Sequence, residues 1–149
     1  MRKLILVFLL LVTSAAAFTQ TADKDAVKKV LNSYKQAIEK LDTTGIVKLF
    51  VKESKVFEQA KDEGTISHYL QHHLAPELKD FKSFTFSDYK TDITVAGEYA
   101  FSTETYIYTI ILAKDAKEIK SQGVATSVLR KSKNGWKIMQ THSSFRKAK

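Results

Sequence analysis

The chain contains no cysteine and only one proline among its 149 residues. Without cysteine it can form no disulfide bond, use no thiolate as a nucleophile and offer no thiolate ligand to a metal. After residue 12, no apolar run approaches the roughly 20 residues that a membrane-spanning helix needs. The fold must therefore be stabilised by its hydrophobic core alone.

The first residues have the pattern of a secretory signal peptide. Two basic residues precede an apolar run at 4–12, and small residues follow at 14–17. The alternative is a membrane anchor, but the apolar run is too short for one. We predict a signal peptide at 1–17, with cleavage within about 17–22. The mature protein is then exported, either periplasmic or secreted, without stable insertion into a membrane.

Composition indicates one domain with a solvated basic surface. With 44% hydrophobic and 27% charged residues, the remaining chain at 23–149 can bury one core and is predicted to be a single domain. The formal net charge is +8, but the basic residues are scattered rather than gathered in one run. Nucleic-acid binding would require a basic stripe interleaved with exposed aromatic residues. We therefore predict no nucleic-acid partner.

The N-terminal half has a helical period. Apolar residues recur at spacings of three and four over 23–41, which predicts an amphipathic helix. A short helix at about 44–50 and a short strand at 55–58 follow. A turn at 62–65 then precedes a helix that ends near Pro76, because proline cannot continue it.

From residue 81 onward the period changes to two. Turn signals at Gly97, 114–117 and Asn134-Gly135 separate four strands, of which the second spans 99–112. Short turns between strands predict an antiparallel meander. Helices followed by a meander predict an α+β domain in which the helices pack on one face of a curved antiparallel sheet.

The histidines are concentrated on the predicted second helix. Three of the four, His68, His72 and His73, lie within six residues. On a regular helix, His68 and His72 share one face, and His73 points about 100° away. The fourth, His142, lies on the last predicted strand, so the fold could bring it to the same pocket.

Two segments carry a family resemblance. The opening helix at 27–42 and the ending at 128–145, VLRKSKNGWKIMQTHSSF, resemble the nuclear transport factor 2-like superfamily in its SnoaL-like, polyketide-cyclase-like branch. The match in order and spacing runs from about Asp25 to Arg146. The resemblance implies a cone in which a strongly bent sheet wraps round the helices and encloses an open pocket.

A narrower resemblance is to exported members of uncharacterised function. These members share an acidic residue on the first strand, a His-His-Leu triplet and a histidine followed by two serines. Here these positions are Glu58, 72–74 and 142–144, and Glu63 lies where such members often have another acid. A tryptophan usually follows the final histidine in those members, whereas this chain has Ser143.

The leading hypothesis is a pocket that binds a small molecule or a metal ion. Its predicted contacts are Glu58, Glu63, His72, His73 and His142. Imidazole and carboxylate ligands suit a divalent transition metal such as zinc or copper, for which Glu58, His72 and His142 are the candidate set. Without a metal, the histidines would be polar groups at the pocket rim, bonded to the protein itself.

Two alternatives belong to other classes of protein. In an acid–base enzyme similar to the isomerases, dehydratases or cyclases of the superfamily, His72 or His142 would be the base and Glu58 its partner. In an interaction module, the chain would form a homodimer, because 106–112 is apolar on both faces and both then need cover. Helices of the same chain could also provide that cover. Four tyrosines also offer hydroxyl groups, but aromatic residues at alternating strand positions are more often in the core, where we predict these: Tyr69, Tyr99, Tyr106 and Tyr108.

Overall fold

A computed structural model describes the backbone of residues 2–148 and the side chains of residues 20–148, so the side chains of the predicted signal peptide at 1–17 lie outside the described residues. The helices are α1 (Arg2–Glu39), a 3-10 turn (Ile46–Leu49), α2 (Ile66–Tyr69), a π-helical turn (Leu70–Leu74) and α3 (Ala75–Leu78). The strands are β1 (Phe50–Glu58), β2 (Lys61–Gly64), β3 (Phe81–Ala96), β4 (Tyr99–Leu112), β5 (Glu118–Ser132) and β6 (Gly135–Lys147). The described part of the chain contains no helix with the length and apolar character of a membrane span.

The six strands form one open sheet in the order β2-β1-β6-β5-β4-β3. Strands β3 to β6 pair antiparallel in chain order, which confirms the predicted meander. Strand β1 instead pairs parallel with β6, so the predicted antiparallel sheet is mixed. The reason is the crossover: the chain leaves β1 and β2 through α2 and α3, and the meander returns β6 to the side of β1. The predicted α+β architecture is confirmed.

Bulges bend the sheet around the helices. Strand β3 shifts its register against β4 between Ser87 and Lys90, and Asp88 at this point has a positive φ of 51°. A second shift lies between Val128 and Leu129 in the pairing of β5 with β6. Each extra residue kinks its strand and increases the local twist. The inner face of the sheet is therefore concave.

Helix α1 covers the inner face and forms the core with it. Val27 and Leu31 on the helix are almost fully buried, as are Phe50, Leu129 and Ile138 on the strands. These residues belong to one continuous cluster. The periodicity of three and four at 23–41 therefore identified the buried face of the helix correctly.

Trp136 anchors the last hairpin to α1. It is 5% exposed, and its indole Nε1 donates to Asp23 Oδ1 at 3.1 Å. Lys131 on the same hairpin pairs with Asp23 at 2.7 Å, and this hydrogen-bonded cation lowers the pKa of Asp23. Asp23 therefore ties the helix to the hairpin.

The second helical segment runs through Pro76 and does not end before it. The turn Leu70–Leu74 is π-helical, and Pro76 lies in the first turn of α3. Proline lacks an N–H and its ring clashes with the carbonyl four residues earlier in a regular α-helix. A wider π turn relieves that conflict, so the chain stays helical to Leu78 and brings Glu77 next to the concave face.

Candidate functional site

A cavity of about 540 Å³ lies between the helices and the concave face of the sheet. Nine aromatic residues contribute to its wall, and its acidic groups fall into two clusters, one around His73 and one at Glu104. The aromatic residues of the wall are Tyr34, Tyr69, Phe81, Phe84, Phe86, Tyr89, Tyr106, Tyr108 and Phe145.

Contacts between rings hold the aromatic wall in place. Phe84 lies 5.2 Å from Tyr108 between ring centroids, and Phe86 meets Tyr106 edge to face at 5.0 Å and 88°. The position of the Tyr106 ring requires a glycine at 123 on the neighbouring strand, because a Cβ there would lie 2.2 Å from Tyr106 Cε2. Real Cβ atoms do not approach that closely, so glycine provides the space in which this ring lies.

The first polar cluster surrounds the ring of His73. Its Nε2 lies 3.0 Å from Glu58 Oε2 and 3.2 Å from Glu77 Oε1. Its Nδ1 lies 3.3 Å from Glu63 Oε1. The ring also stacks on Tyr69, with centroids 5.1 Å apart. Carboxylates on both edges and an aromatic ring on one face together fix the position of His73.

Burial changes the proton affinity of Glu58 in this cluster. Burial raises the pKa of Glu58, while His73 and the hydrogen bond from Tyr69 oppose that change. The Tyr69 hydroxyl donates to Glu58 Oε2 at 3.1 Å. Glu58 therefore holds a proton to higher pH than an exposed glutamate does.

The second polar cluster is Glu104 with Tyr89. Glu104 is 8% exposed, and it accepts a hydrogen bond from the Tyr89 hydroxyl. Burial raises the pKa of Glu104, and the hydrogen bond from Tyr89 opposes that change. This pair was not predicted from the sequence. A sequence pattern did indicate the position of Glu104: residues 104, 106 and 108 are spaced two apart on β4, so Glu104 lies on the same face as Tyr106 and Tyr108.

A cation lies against the aromatic wall near the second cluster. The Lys35 ammonium lies 5.6 Å from the ring centroid of Phe86 and 5.5 Å from that of Tyr89. It also pairs with Glu39 at 2.7 Å. The rings of Phe86 and Tyr89 therefore make cation–π contacts with Lys35 at this end of the cavity.

Comparison with known proteins places the chain in a family. Residues 27–147 match the model of the SnoaL-like domain. The chain belongs to the SnoaL-like family. No curated protein matches it in sequence.

Solved structures of low identity share the fold of this SnoaL-like domain. A nuclear transport factor 2-like superfamily protein from Salmonella enterica is 22% identical, with 87% of this chain and 94% of that chain covered and a TM-score of 0.75. A candidate ketosteroid isomerase from Shewanella frigidimarina is 26% identical, with 80% and 94% covered and a TM-score of 0.66. A candidate scytalone dehydratase from Novosphingobium aromaticivorans is 15% identical, with 89% of each chain covered and a TM-score of 0.72.

The SnoaL-like domain brings three of the five predicted contact residues to its cavity. Glu58, Glu63 and His73 line it, whereas His72 and His142 do not. His72 is exposed, because the buried Leu70 and Leu74 turn the other side of the helix inward. The predicted placement of His72 in the pocket is corrected accordingly, and His73 takes that position.

His142 lies on the outer face of the sheet. Its neighbours Thr141 and Ser143 line the cavity, and side chains alternate between faces along a strand. His142 is exposed and packs edge to face against Phe57, with centroids 6.4 Å apart. The prediction that it meets His72 and Glu58 in one pocket is therefore also corrected.

The candidate metal ligands Glu58, His72 and His142 are not brought together. Over residues 20–148, no group of three or more histidines, aspartates or glutamates has an arrangement that could hold a metal ion. In the cluster around His73, the ring itself occupies the space between the carboxylates. A zinc or copper site built on Glu58, His72 and His142 thus rests on the residue types alone.

The tyrosines divide between the cavity and the outer surface. Tyr69, Tyr106 and Tyr108 line the cavity, so they are wall residues and not only core. Tyr99 is 43% exposed on the outer face, near Phe101 at 49%. The homodimer of the SnoaL-like domain through this face stays a prediction from the sequence.

Proposed function

We propose that this SnoaL-like domain binds a small, mainly apolar organic molecule that has polar groups at two positions. The observation on which the proposal depends is the cavity of about 540 Å³ with an aromatic wall and two separate polar clusters. Small-molecule sites typically have volumes of about 300–1,000 Å³, apolar walls and a few placed polar groups. A planar ligand would stack on the rings, and its polar groups would meet His73 and Glu104.

A substitution that fills the cavity tests this proposal. Ala125 lines the cavity and lies between Glu104 and Ser143 in the sheet register. The probe is N-phenyl-1-naphthylamine, a neutral aromatic amine whose fluorescence increases in an apolar site. Because a larger side chain at 125 occupies the space of the ligand, Ala125→Leu is expected to weaken binding of this probe by about tenfold or more.

The matched control is Thr126→Leu, on the adjacent residue that points to the outer face. It is expected to keep the affinity for N-phenyl-1-naphthylamine within about twofold of the wild type. Ala125→Val replaces the leucine variant if overpacking prevents folding. Equal affinities of the 125 and 126 variants, or no saturable binding by the wild type, would overturn the proposal.

A second candidate function is acid–base catalysis on the bound molecule. The observation that favours it is the contact of His73 Nε2 with Glu58 at 3.0 Å inside an apolar cavity. Histidine beside a carboxylate is a common general base or acid. Two proteins of the same fold are named as candidates for an isomerase and a dehydratase, whose reactions require such groups. The base is then His73, with Glu58 as the group that orients it.

Exchange of the α-protons of 2-tetralone for deuterium, followed by NMR, tests this candidate function. The wild type is expected to accelerate exchange above the buffer rate, and His73→Gln to reduce that acceleration by about 100-fold. His142→Gln, on the outer face, is expected to keep it. Equal rates for the wild type and His73→Gln would remove His73 from the mechanism, and loss in His142→Gln alone would restore the sequence-based assignment.

A further inference from the structure

Two exposed histidines lie side by side on the outer surface of the second helical segment, outside the cavity. His68 belongs to α2 and His72 to the π-helical turn. Their ring centroids are 4.5 Å apart, with an angle of 42° between the planes. The family match and the proposed ligand cavity leave this pair without a role.

The spacing of the rings fits two ligands of one metal ion. Metal–nitrogen bonds of about 2.0–2.1 Å place each imidazole centre about 3.2 Å from the ion, so ligand angles between a right angle and the tetrahedral angle separate the centres by about 4.5–5.2 Å. The observed 4.5 Å lies at the lower end of that range. The separation of the two rings is therefore compatible with their binding one ion.

The hydrogen bonding of His68 prepares one ring nitrogen for coordination. Its Nδ1 lies 3.0 Å from the carbonyl oxygen of Glu63. A carbonyl can only accept, so Nδ1 carries the hydrogen and Nε2 of the neutral ring keeps its lone pair. Metal-binding histidines commonly donate their other N–H in this way, which fixes the tautomer and the ring orientation.

The backbone holds this geometry as well. Thr65 caps the helix by accepting from the N–H of His68 at 3.3 Å. Gly64, immediately before Thr65, has a φ of 76°. The turn that precedes the helix therefore limits the positions of His68, while buried Leu70 and Leu74 fix the turn that bears His72.

We propose that His68 and His72 form a surface site for a divalent transition metal, with water completing the coordination. Imidazole nitrogens favour Cu²⁺, Ni²⁺ and Zn²⁺ over Mg²⁺ and Ca²⁺. A metal bound here joins α2 to the π-helical turn that also bears His73. The site is independent of the proposed function, since neither histidine lines the cavity.

Calorimetric titration of the untagged protein with Cu²⁺, Ni²⁺ or Zn²⁺ tests the site. One ion is expected to bind per chain, and His68→Asn and His72→Asn should each weaken binding by about tenfold or more, because each removes one of two protein ligands. His142→Asn, an exposed histidine with no histidine beside it, should change the affinity by less than about twofold. Because protons compete for the same nitrogens, affinity should fall as the pH is lowered.

NMR spectra of the histidine rings give the position of bound Cu²⁺, because the paramagnetic ion broadens the resonances of nearby rings. This measurement does not depend on the affinity. Broadening is expected first at the ring resonances of His68 and His72, with His73 affected less. Broadening centred on His73 would assign the metal to the carboxylate cluster and overturn the proposal. Unchanged affinity in either asparagine variant that folds as the wild type does, or no binding of any of the three ions, would also overturn it.

Discussion

Replacement of Phe50 by alanine is expected to lower the free energy of unfolding by about 3–5 kcal/mol. Phe50 is 2% exposed and meets the ring of Tyr34 edge to face at 5.4 Å and 81°. It lies at the start of β1, opposite Ile138 of β6, where α1 and the sheet meet. Its loss leaves a cavity and also removes the packing of Tyr34, which lines the ligand cavity.

Urea unfolding, with the midpoint and slope both fitted, measures this effect. The control is Phe101→Ala, because Phe101 is 49% exposed on the outer face and its loss should change stability by no more than about 0.5 kcal/mol. Domains of this size are stable by only about 5–15 kcal/mol, so Phe50→Leu provides a milder variant if alanine prevents folding. Equal midpoints for Phe50→Ala and Phe101→Ala would contradict the packing described for β1.

Replacement of Glu104 by glutamine is expected to stabilise the protein at pH 8 by about 1–3 kcal/mol. Burial raises the pKa of Glu104, so the folded state binds its proton more tightly than the unfolded state does. Stability from this group is present below the unfolded pKa of about 4.3 and is lost as the pH rises through the folded pKa. Glutamine is neutral throughout and can still accept from Tyr89, so the variant avoids that loss.

Thermal unfolding between pH 4 and pH 8 checks the sign of the stability change caused by Glu104→Gln. The stability difference between Glu104→Gln and the wild type should be small at pH 4 and should increase toward pH 8. Glu98→Gln, at an exposed turn position, is the control and should show no such trend. A Glu104→Gln protein that is less stable than the wild type at pH 8 would mean that the ionised carboxylate is favoured in the fold and that the burial argument is wrong.

Both effects concern residues whose surroundings come from distant parts of the chain. The sequence pattern predicts that Phe50 ends a short helix at 44–50. In the structure, Phe50 is instead the first residue of β1. Its local pattern indicated a buried residue, but its partners are on α1 and β6. Glu104 is not among the candidate site residues predicted from the sequence, although the alternation of side chains along β4 puts it on the inner face.

The histidines show the same division between local and distant information. The prediction that His68 and His72 share a face is confirmed by their ring contact. Helical spacing could not decide whether that face or the face of His73 turns toward the sheet. Packing of Leu70 and Leu74 into the core decides it, and it places His73 inside and His72 outside.

Local patterns were sufficient to predict the α+β class, a helix over most of 23–41, the meander with β4 at 99–112 and the family. These follow from local periodicity, turn residues and motif order, which are encoded over short stretches of chain. The parallel pairing of β1 with β6, by contrast, depends on contacts between distant parts of the chain. The same is true of the carboxylates around His73 and of the hydrogen bond from Tyr89 to Glu104. The reason is physical: periodicity fixes which face of its own element a residue occupies, whereas long-range packing and bulges fix which faces meet.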